Sequence, residues 1–258
     1  MGLQRDYELA AREGLQARPA EAGELLTLGD LAGLPGCVTR YLEFTGAIGR
    51  PKIWNYRLRF SGQLRNGANA PWMNVRINQQ SFVEPAARLF LIRASMLGVP
   101  FVTLHRYVGN SATFQVRLLG LFTVVDAAGE EMNQSETVTL LNDMALLAPS
   151  SLVSPRVSWS EVDELQARAT FSNAGHTVSA LLSFDESGAL VDFVSNDRLR
   201  TVDGKSYWLS PWSTPVDEWA DFGGRRLPVK ARARWLEPEG ELCYARFEIE
   251  DVAYNIGP

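Results

Sequence analysis

The stretch SETVTLLNDMALLAP, residues 135–149, decides the expected fold. Its apolar residues cover most of the circumference of a helix, and a helix that is apolar nearly all round is buried rather than laid on a surface. Pro149 predicts where this helix ends, and Asn133 or Ser135 is a candidate N-cap. We therefore expect a buried helix at 135–148, around which the rest of the chain is arranged.

On both sides of that helix, apolar residues recur at every second position, which predicts strands with one buried face and one exposed face. The clearest strands begin at Ile53 and Met73, and the Asn66-Gly67 pair between them is typical of a turn. Near the end of the chain, 231–235 and 243–249 form two alternating runs typical of an antiparallel hairpin. Together with about nine or ten strands in meander order, this predicts a mainly β (α+β) fold, a single curved antiparallel half-barrel sheet wrapped around a buried helix.

Helical patterns precede the strands. Residues 5–17 are rich in Ala, Leu, Glu and Arg, and 35–45 has an apolar face at helical spacing. We expect an N-terminal helical extension, residues 1–33, followed by a half-barrel domain, residues 34–258, into which the helix 135–148 is inserted. The chain has no repeat of fixed period and no low-complexity linker that would divide it further.

Composition narrows the class of partner. The 258 residues carry a formal net charge of −5, and their arginines are interspersed with acidic residues, so no basic stripe indicates nucleic acid. No apolar run approaches the ~20 residues of a membrane span, and the polar N-terminus is unlike a signal peptide, which predicts a cytoplasmic protein without a membrane span. Cys37 and Cys243 have no metal-ligand spacing, and we expect two small buried hydrophobic residues.

Motifs of the commonest enzyme classes are absent from the sequence. No glycine-rich phosphate loop follows a strand, and there is no Gly-x-Ser-x-Gly elbow around a nucleophilic serine. With only two histidines, His105 and His176, a histidine-rich metal site is excluded. We therefore expect neither a metal nor a cofactor.

Asp143 is the most informative candidate site residue, because it lies in the otherwise apolar helix. A buried carboxylate without a partner costs several kcal/mol, so it requires a cation or several hydrogen-bond donors. Arg117, Arg198 and His105 are candidate partners by residue type. Two interpretations stay open: a structural ion pair that ties the helix to the sheet, or a cavity carboxylate that acts as acid, base or ligand anchor.

Two further groups of side chains are candidates for the cavity. His105 and Tyr107 share one face of a strand, which either points outward or lines a polar part of the cavity. Tyr207, Trp208 and Trp212 lie in a proline-containing segment predicted to be neither regular strand nor helix. Such aromatic loops either close over a ligand or fill the end of a barrel as part of the core.

Several segments, in this order along the chain, resemble an uncharacterised bacterial family of unknown function. They are RYLEFTGAIGRP at 40–51, RLLGLFTVVD at 117–126, 136–149, 159–163, FVSNDR at 193–198, WSTP at 212–215 and the closing Ala253-Tyr254-Asn255. The resemblance spans roughly residues 34–255. It implies a half-barrel similar to that of bacterial lipoprotein-localisation factors and of the violacein-pathway cyclising enzyme. It implies no catalytic residue, and its recurring motifs contain Asn142, Asp143, Asp197, Arg198 and Trp212.

Two functions follow from these patterns, and both remain open at the level of sequence. The first is a soluble protein that holds an apolar or amphipathic small molecule in the half-barrel cavity. Its expected ligand contacts are Arg117, Asn142, Arg198, Tyr207, Trp208 and Trp212. The alternative is a cofactor-independent cyclase, isomerase or hydrolase of a biosynthetic pathway, with Asp143, His105 and Tyr107 as proton donors or acceptors. The fold itself does not distinguish a carrier from an enzyme.

Overall fold

The computed structural model of the chain describes residues 2–96, 98–201, 204–238 and 240–257. Within these ranges the α-helices are α1 (Leu3–Gln16), α2 (Gly36–Phe44) and α3 (Glu130–Leu147). Short 3-10 helices occupy Leu28–Leu31 and Pro149–Val153. The strands are β1 (Asn55–Leu64), β2 (Met73–Phe82), β3 (Ala87–Met96), β4 (Val99–Val108), β5 (Ser111–Leu118), β6 (Phe122–Ala128), β7 (Val157–Asp163), β8 (Gln166–Asn173), β9 (His176–Phe184), β10 (Leu190–Ser195), β11 (Leu199–Arg200), β12 (Trp208–Leu209), β13 (Trp212–Ser213), β14 (Val216–Asp221), β15 (Arg226–Glu237) and β16 (Gly240–Tyr254).

All strands except β11 and β12 form one 14-stranded antiparallel sheet. Its order is β6-β5-β4-β3-β2-β1-β16-β15-β13-β10-β9-β8-β7, with β14 paired to β15 at the side. The two edge strands, β6 and β7, are consecutive in sequence, and α3 connects them. Helix α3 contacts β5 and β6 near one edge, β8, β9 and β10 near the other, and β15 between them. The sheet therefore curves around the helix, and the predicted antiparallel half-barrel with a buried helix is confirmed.

Helix α3 is buried along nearly its whole length. Fifteen of its 18 residues are buried, which agrees with the apolar pattern of the sequence. The predicted start at residue 135 is wrong, because the helix begins at Glu130 after Gly129, whose φ of 123° is accessible to glycine. The two predicted caps have other partners: Asn133 Oδ1 accepts a hydrogen bond from the Ala112 backbone, and Ser135 Oγ donates to a backbone carbonyl one turn earlier.

A second hydrophobic cluster covers the opposite, convex face of the sheet. Leu3 and Tyr7 of α1 pack on Leu89, Leu91 and Leu104, which point away from α3. These positions alternate along β3 and β4 with residues of the concave face, because successive side chains of a strand point to opposite sides. The N-terminal helix therefore shields a part of the sheet that would otherwise expose a contiguous apolar surface.

The last strand is joined to the first by side-chain hydrogen bonds as well as by strand pairing. Residues 245–254 of β16 pair with β1. Asn255 adopts a left-handed conformation with φ of 53°, and its side chain accepts from the Trp54 backbone and donates to the Lys52 carbonyl. Asn55 reciprocates with the backbone of Ile256. The closing Ala-Tyr-Asn motif thus fixes the centre of the sheet.

The predicted number of about nine or ten strands is too low, because the described residues form sixteen, of which β6, β7 and β11 to β14 were not predicted. The predicted hairpin at 231–235 and 243–249 is confirmed by the pairing of Ala233 with Ala245. The segment around Trp212, predicted to be irregular, contributes β12, β13 and β14, two of which have only two residues. A strand of two residues has no measurable period. Among the described residues, no helix is both long and apolar enough to span a membrane.

Candidate functional site

A cavity of about 450 Å³ lies between α3 and the concave face of the sheet. Most of the side chains that line it are apolar. They include Phe60, Leu64, Met73, Phe90, Ile92, Phe114, Met132, Leu146, Leu147, Trp212, Trp235, Leu242, Phe247 and Ile249. The lining reaches the surface at the β1–β2 turn, where Asn66 is exposed. A cavity of this size and lining is typical of sites for small molecules.

Five of the ionisable side chains that line this cavity lie close together, and we call them the charged cluster. They are Arg88, His105, Glu136, Asp143 and Arg198. Glu136 and Asp143 are seven residues apart, two turns of α3, so both lie on the same face of the helix. Arg88 lies on β3 and His105 on the adjacent β4, where His105 pairs with Phe90. The cluster therefore lies where α3 faces these two strands.

Glu136 is the centre of the charged cluster, with a side chain only 1% exposed. Its carboxylate lies 3.4 Å from Arg88 Nη1, 3.2 Å from His105 Nε2 and 3.9 Å from Arg198 Nη2. Thr139 Oγ1 donates a hydrogen bond to Oε1 at 3.0 Å. Burial alone would raise the pKa of Glu136, but the neighbouring basic groups and this hydrogen bond lower it below its ordinary value. Glu136 is therefore ionised at neutral pH.

Asp143 is paired with Arg88, which was not among its predicted partners. Arg88 Nε donates to Asp143 Oδ2 at 2.8 Å, and Gln79 Nε2 donates to the same oxygen at 2.5 Å. Burial raises the pKa of Asp143, and the adjacent guanidinium only partly offsets this effect. The expectation that Arg117, Arg198 or His105 neutralises this carboxylate is wrong, because β3 rather than their own segments lies opposite this turn of α3.

His105 is a neutral imidazole at neutral pH. Burial is the main cause that lowers its pKa to about 4; the negative charge of Glu136 opposes this effect, and the positive charges of Arg88 and Arg198 add to it. Nε2 lies 3.2 Å from Glu136 Oε1 but at an angle that makes no hydrogen bond among the described residues. The ring also meets Phe114 edge to face, with centroids 5.2 Å apart. His105 thus lines the cavity as a neutral side chain.

The shifted pKa of His105 predicts an acid-sensitive stability. The unfolded chain takes up a proton near pH 6.5, whereas the folded protein does so only near pH 4, so stability is complete above pH 6.5 and is lost as the pH falls. Between pH 7 and pH 5 the free energy of unfolding should fall by about 2 kcal/mol. Urea unfolding at several pH values measures this, and His105→Gln should abolish the slope. An equal slope in both proteins would contradict the assignment.

Arg198 is held by aromatic rings. Its guanidinium carbon lies 4.5 Å from the centre of the Trp212 ring and 5.2 Å from that of Trp235. The Trp212 indole is fixed in turn, because its Nε1 donates to the Tyr244 hydroxyl at 2.9 Å. Cation–π contacts of this kind favour arginine over lysine. The aromatic segment identified in the sequence therefore contributes one of the two rings, Trp212, that contact this guanidinium, and β15 contributes the other.

Six of the residues proposed from the sequence line the cavity. They are His105, Asn142, Asp143, Arg198, Tyr207 and Trp212. Three others lie away from it: Tyr107 is fully buried and bonds Thr137, Arg117 is not part of the lining, and Trp208 is partly exposed on β12. A ligand in the cavity would not contact these three directly, and their predicted roles stay predictions.

Arg88 and Glu136 were not among the site residues proposed from the sequence, although the sequence contains a pattern that indicates each of them. Glu136, Thr139 and Asp143 follow the spacing of one helical face, and Arg88 shares its strand face with Phe90. The overlooked signal is a set of polar residues that recur among apolar ones at the spacing of one helix face or one strand face. Within the described ranges, no group of three or more His, Cys, Asp or Glu side chains could hold a metal ion.

Comparison with known sequences places the chain beside one family. The model of a family of unknown function, DUF6544, matches residues 24–247. This match confirms the resemblance to an uncharacterised family that the sequence motifs indicated. No curated protein matches the chain significantly.

Several solved structures are similar to the chain at low identity. A DUF1329 family protein from Desulfovibrio piger is 11% identical, with a TM-score of 0.46, over 86% of this chain and 92% of that chain. A domain described as an outer membrane lipoprotein-sorting protein, from Vibrio parahaemolyticus, is 10% identical, with a TM-score of 0.46, over 86% and 93%. A LolA superfamily protein from Nitrosomonas europaea is 9% identical, with a TM-score of 0.38, over 86% and 94%. Each similarity is weak in sequence and partial in structure.

Proposed function

The chain belongs to DUF6544, a family of unknown function, and we propose that it binds an apolar or amphipathic small molecule in the half-barrel cavity. One observation carries this proposal: the cavity of about 450 Å³ has a mainly apolar lining and reaches the surface. Protein interiors contain few voids larger than a water molecule, so a cavity of this size is a place suited to a ligand. The charged cluster at one side favours a ligand that also has a polar group.

The expected strength of binding follows from buried area. Removing apolar surface from water contributes about 25 cal/mol per Å², so a ligand that buries about 300 Å² gains about 7.5 kcal/mol before the cost of association. Because micromolar affinity corresponds to about −8.2 kcal/mol, apolar burial of this extent falls short of it, and polar contacts with the ligand have to contribute as well.

Filling the cavity should block binding. Ala231 lines the cavity and is only partly buried. Ala231→Phe should therefore displace about 60 Å² of ligand contact, which corresponds to about 1.5 kcal/mol or about a tenfold weaker affinity. The measurement is fluorescence titration with the neutral apolar probe N-phenyl-1-naphthylamine. The control is Ala128→Phe, the same change at an exposed strand position, which should leave the affinity within about twofold.

The outcome of this titration decides the proposal. Failure of the wild-type protein to bind the probe, or equal loss in the two variants, would contradict binding in the cavity. Native mass spectrometry of gently purified protein provides a second measurement. A bound molecule that is present in the wild-type protein and depleted in Ala231→Phe would support the proposal and supply the mass of the ligand.

A second candidate function is a cofactor-independent cyclase, isomerase or hydrolase. The observation that favours it is the neutral His105, which lines the cavity 3.2 Å from the Glu136 carboxylate. Asp143 is engaged in a buried ion pair, in which Arg88 and Gln79 both donate to its Oδ2. If the protein is an enzyme, the molecule found by mass spectrometry should be converted by the wild-type protein and not by His105→Gln. Conversion at equal rates would exclude His105 as the base.

A further inference from the structure

Arginines on the cavity lining differ in what they bind. Four of them have strong partners of their own. Arg88 binds Asp143 and Glu136, Arg232 binds Asp217, Arg200 binds Glu237, and Arg65 donates to the carbonyls of Cys243 and Ala68. Their guanidinium groups are thus engaged in holding the protein together.

Arg198 lacks such a partner, although its side chain is only 15% exposed. Its one hydrogen bond among the described residues runs from Nε to Thr139 Oγ1 and is long, at 3.4 Å. The nearest carboxylate oxygen, Glu136 Oε1, lies 3.9 Å from Nη2 and already accepts from Thr139. A guanidinium offers five N–H donors, so most of those of Arg198 are unused. They belong to a side chain that lines the cavity.

The aromatic clamp on Arg198 fixes the direction of these donors. The Trp212 and Trp235 rings contact the guanidinium at 4.5 and 5.2 Å from their centres, and Thr139 bonds Nε. A cation held in this way loses little further freedom when it binds an anion, which favours affinity. The edge of the guanidinium that carries both Nη atoms is the edge that matches two oxygens of a carboxylate.

From this geometry, and on the basis of the proposed function, we infer that Arg198 anchors the carboxylate head group of an amphipathic ligand whose apolar body fills the rest of the cavity. The charges of Arg88 and Arg198 are balanced by Glu136 and Asp143, and His105 is neutral. The head group therefore adds one negative charge to a balanced cluster, and the N–H donors of Arg198 that have no other partner among the described residues would hydrogen-bond that charge. A dianionic head group would be repelled by Glu136, which lies 3.9 Å from the same guanidinium.

The probes are matched molecules that differ in their head group: dodecanoate, 1-dodecanol and dodecyl phosphate, each titrated at pH 8 by displacement of the neutral fluorescent probe. Arg198→Met should lower the affinity for dodecanoate about tenfold to a hundredfold, which is the range expected when a hydrogen bond to a charged group is lost. The affinity of the same variant for 1-dodecanol should stay within about twofold of the wild-type value, because the apolar contacts remain. Wild-type protein should bind dodecyl phosphate more weakly than dodecanoate.

Two further variants test whether the effect of Arg198→Met comes from loss of the ligand anchor, rather than from misfolding or from loss of a positive charge in general. Arg232→Met removes another arginine of the lining, one already paired with Asp217, and should leave the affinity for dodecanoate within about twofold. Arg198→Lys keeps the positive charge but lacks the planar pair of N–H donors of a guanidinium. It should therefore weaken the binding of dodecanoate and leave the binding of 1-dodecanol unchanged. This variant also serves if Arg198→Met does not fold, as judged by circular dichroism.

The results distinguish this inference from the proposed function. If wild-type protein bound none of the probes, both would fail. If all probes bound and Arg198→Met or Arg198→Lys left dodecanoate unchanged, the cavity would be a binding site but Arg198 would not be its anchor. Tighter binding of dodecyl phosphate than of dodecanoate would overturn the carboxylate assignment and leave the anionic site in place.

Discussion

Arg88→Met should lower the free energy of unfolding by about 3–5 kcal/mol, the loss typical when one partner of a buried ion pair is removed. Arg88 binds Asp143 at 2.8 Å and Glu136 at 3.4 Å, and the side chains of all three are less than one-tenth exposed. Methionine has a similar length but no charge, so Asp143 would lose the one cation that lies within hydrogen-bond distance of it among the described residues. Urea unfolding monitored by tryptophan fluorescence measures the change.

The dependence of the effect on pH, and a control substitution at an exposed ion pair, make this prediction specific to Arg88. Without Arg88 the pKa values of the buried carboxyls should rise, so the folded protein binds protons that the unfolded chain does not. The deficit of the variant relative to wild type should therefore shrink as the pH falls from 7 to 5. Arg59→Met removes the arginine of an exposed pair with Asp251 and should change stability by about 0.5 kcal/mol or less. Equal losses at both sites would refute the role of Arg88.

Leu141→Ala should cost about 2–5 kcal/mol, because it removes a buried side chain from the centre of α3 and leaves a void in the core. Leu141 is 0% exposed and belongs to the main hydrophobic cluster, which joins the helix to the sheet. The matched control is Leu121→Ala in the β5–β6 turn, where the side chain is 77% exposed. This control should change the free energy of unfolding by no more than about 0.5 kcal/mol.

Thermal and chemical unfolding of both leucine variants measure the difference. A loss confined to Leu141→Ala would show that the sheet depends on the helix that it encloses. Similar stabilities of the two variants would mean that α3 contributes little to the cooperative core. Both variants are compared with the wild-type protein at pH 7, well above the pKa of about 4 of His105.

The long helices and strands of this fold were predictable from the sequence, because the spacing of the apolar residues in each one indicates which of its sides are buried. Alternation along β1, β2 and β16 identifies strands with one buried face, and the apolar circumference of α3 identifies a helix buried on all sides. The start of α3 was misplaced because its first turn is polar, and Gly129 rather than a side-chain cap determines where it begins.

The charged cluster was only partly predictable. Asp143 was identified because a carboxylate in an apolar helix requires a partner, but the partner depends on how β3 lies against α3. Arg88 is 55 residues from Asp143 in the chain, and no local pattern relates two positions so far apart. The same limit applies to Arg198, whose ring contacts arise from two strands that are paired only in the folded sheet, β13 and β15.

The pairing of β16 with β1 has a consequence for biosynthesis. Asn255 donates to the Lys52 carbonyl across 203 residues of chain, so β16, the partner of the first strand, leaves the ribosome after all the other described strands. Until then the nascent meander β1–β6 presents β1 as an open edge, the kind of surface that recruits chaperones or associates with other chains. Completion of the sheet is thus a late, long-range event, and yield in the cell depends on how well that edge is protected during translation.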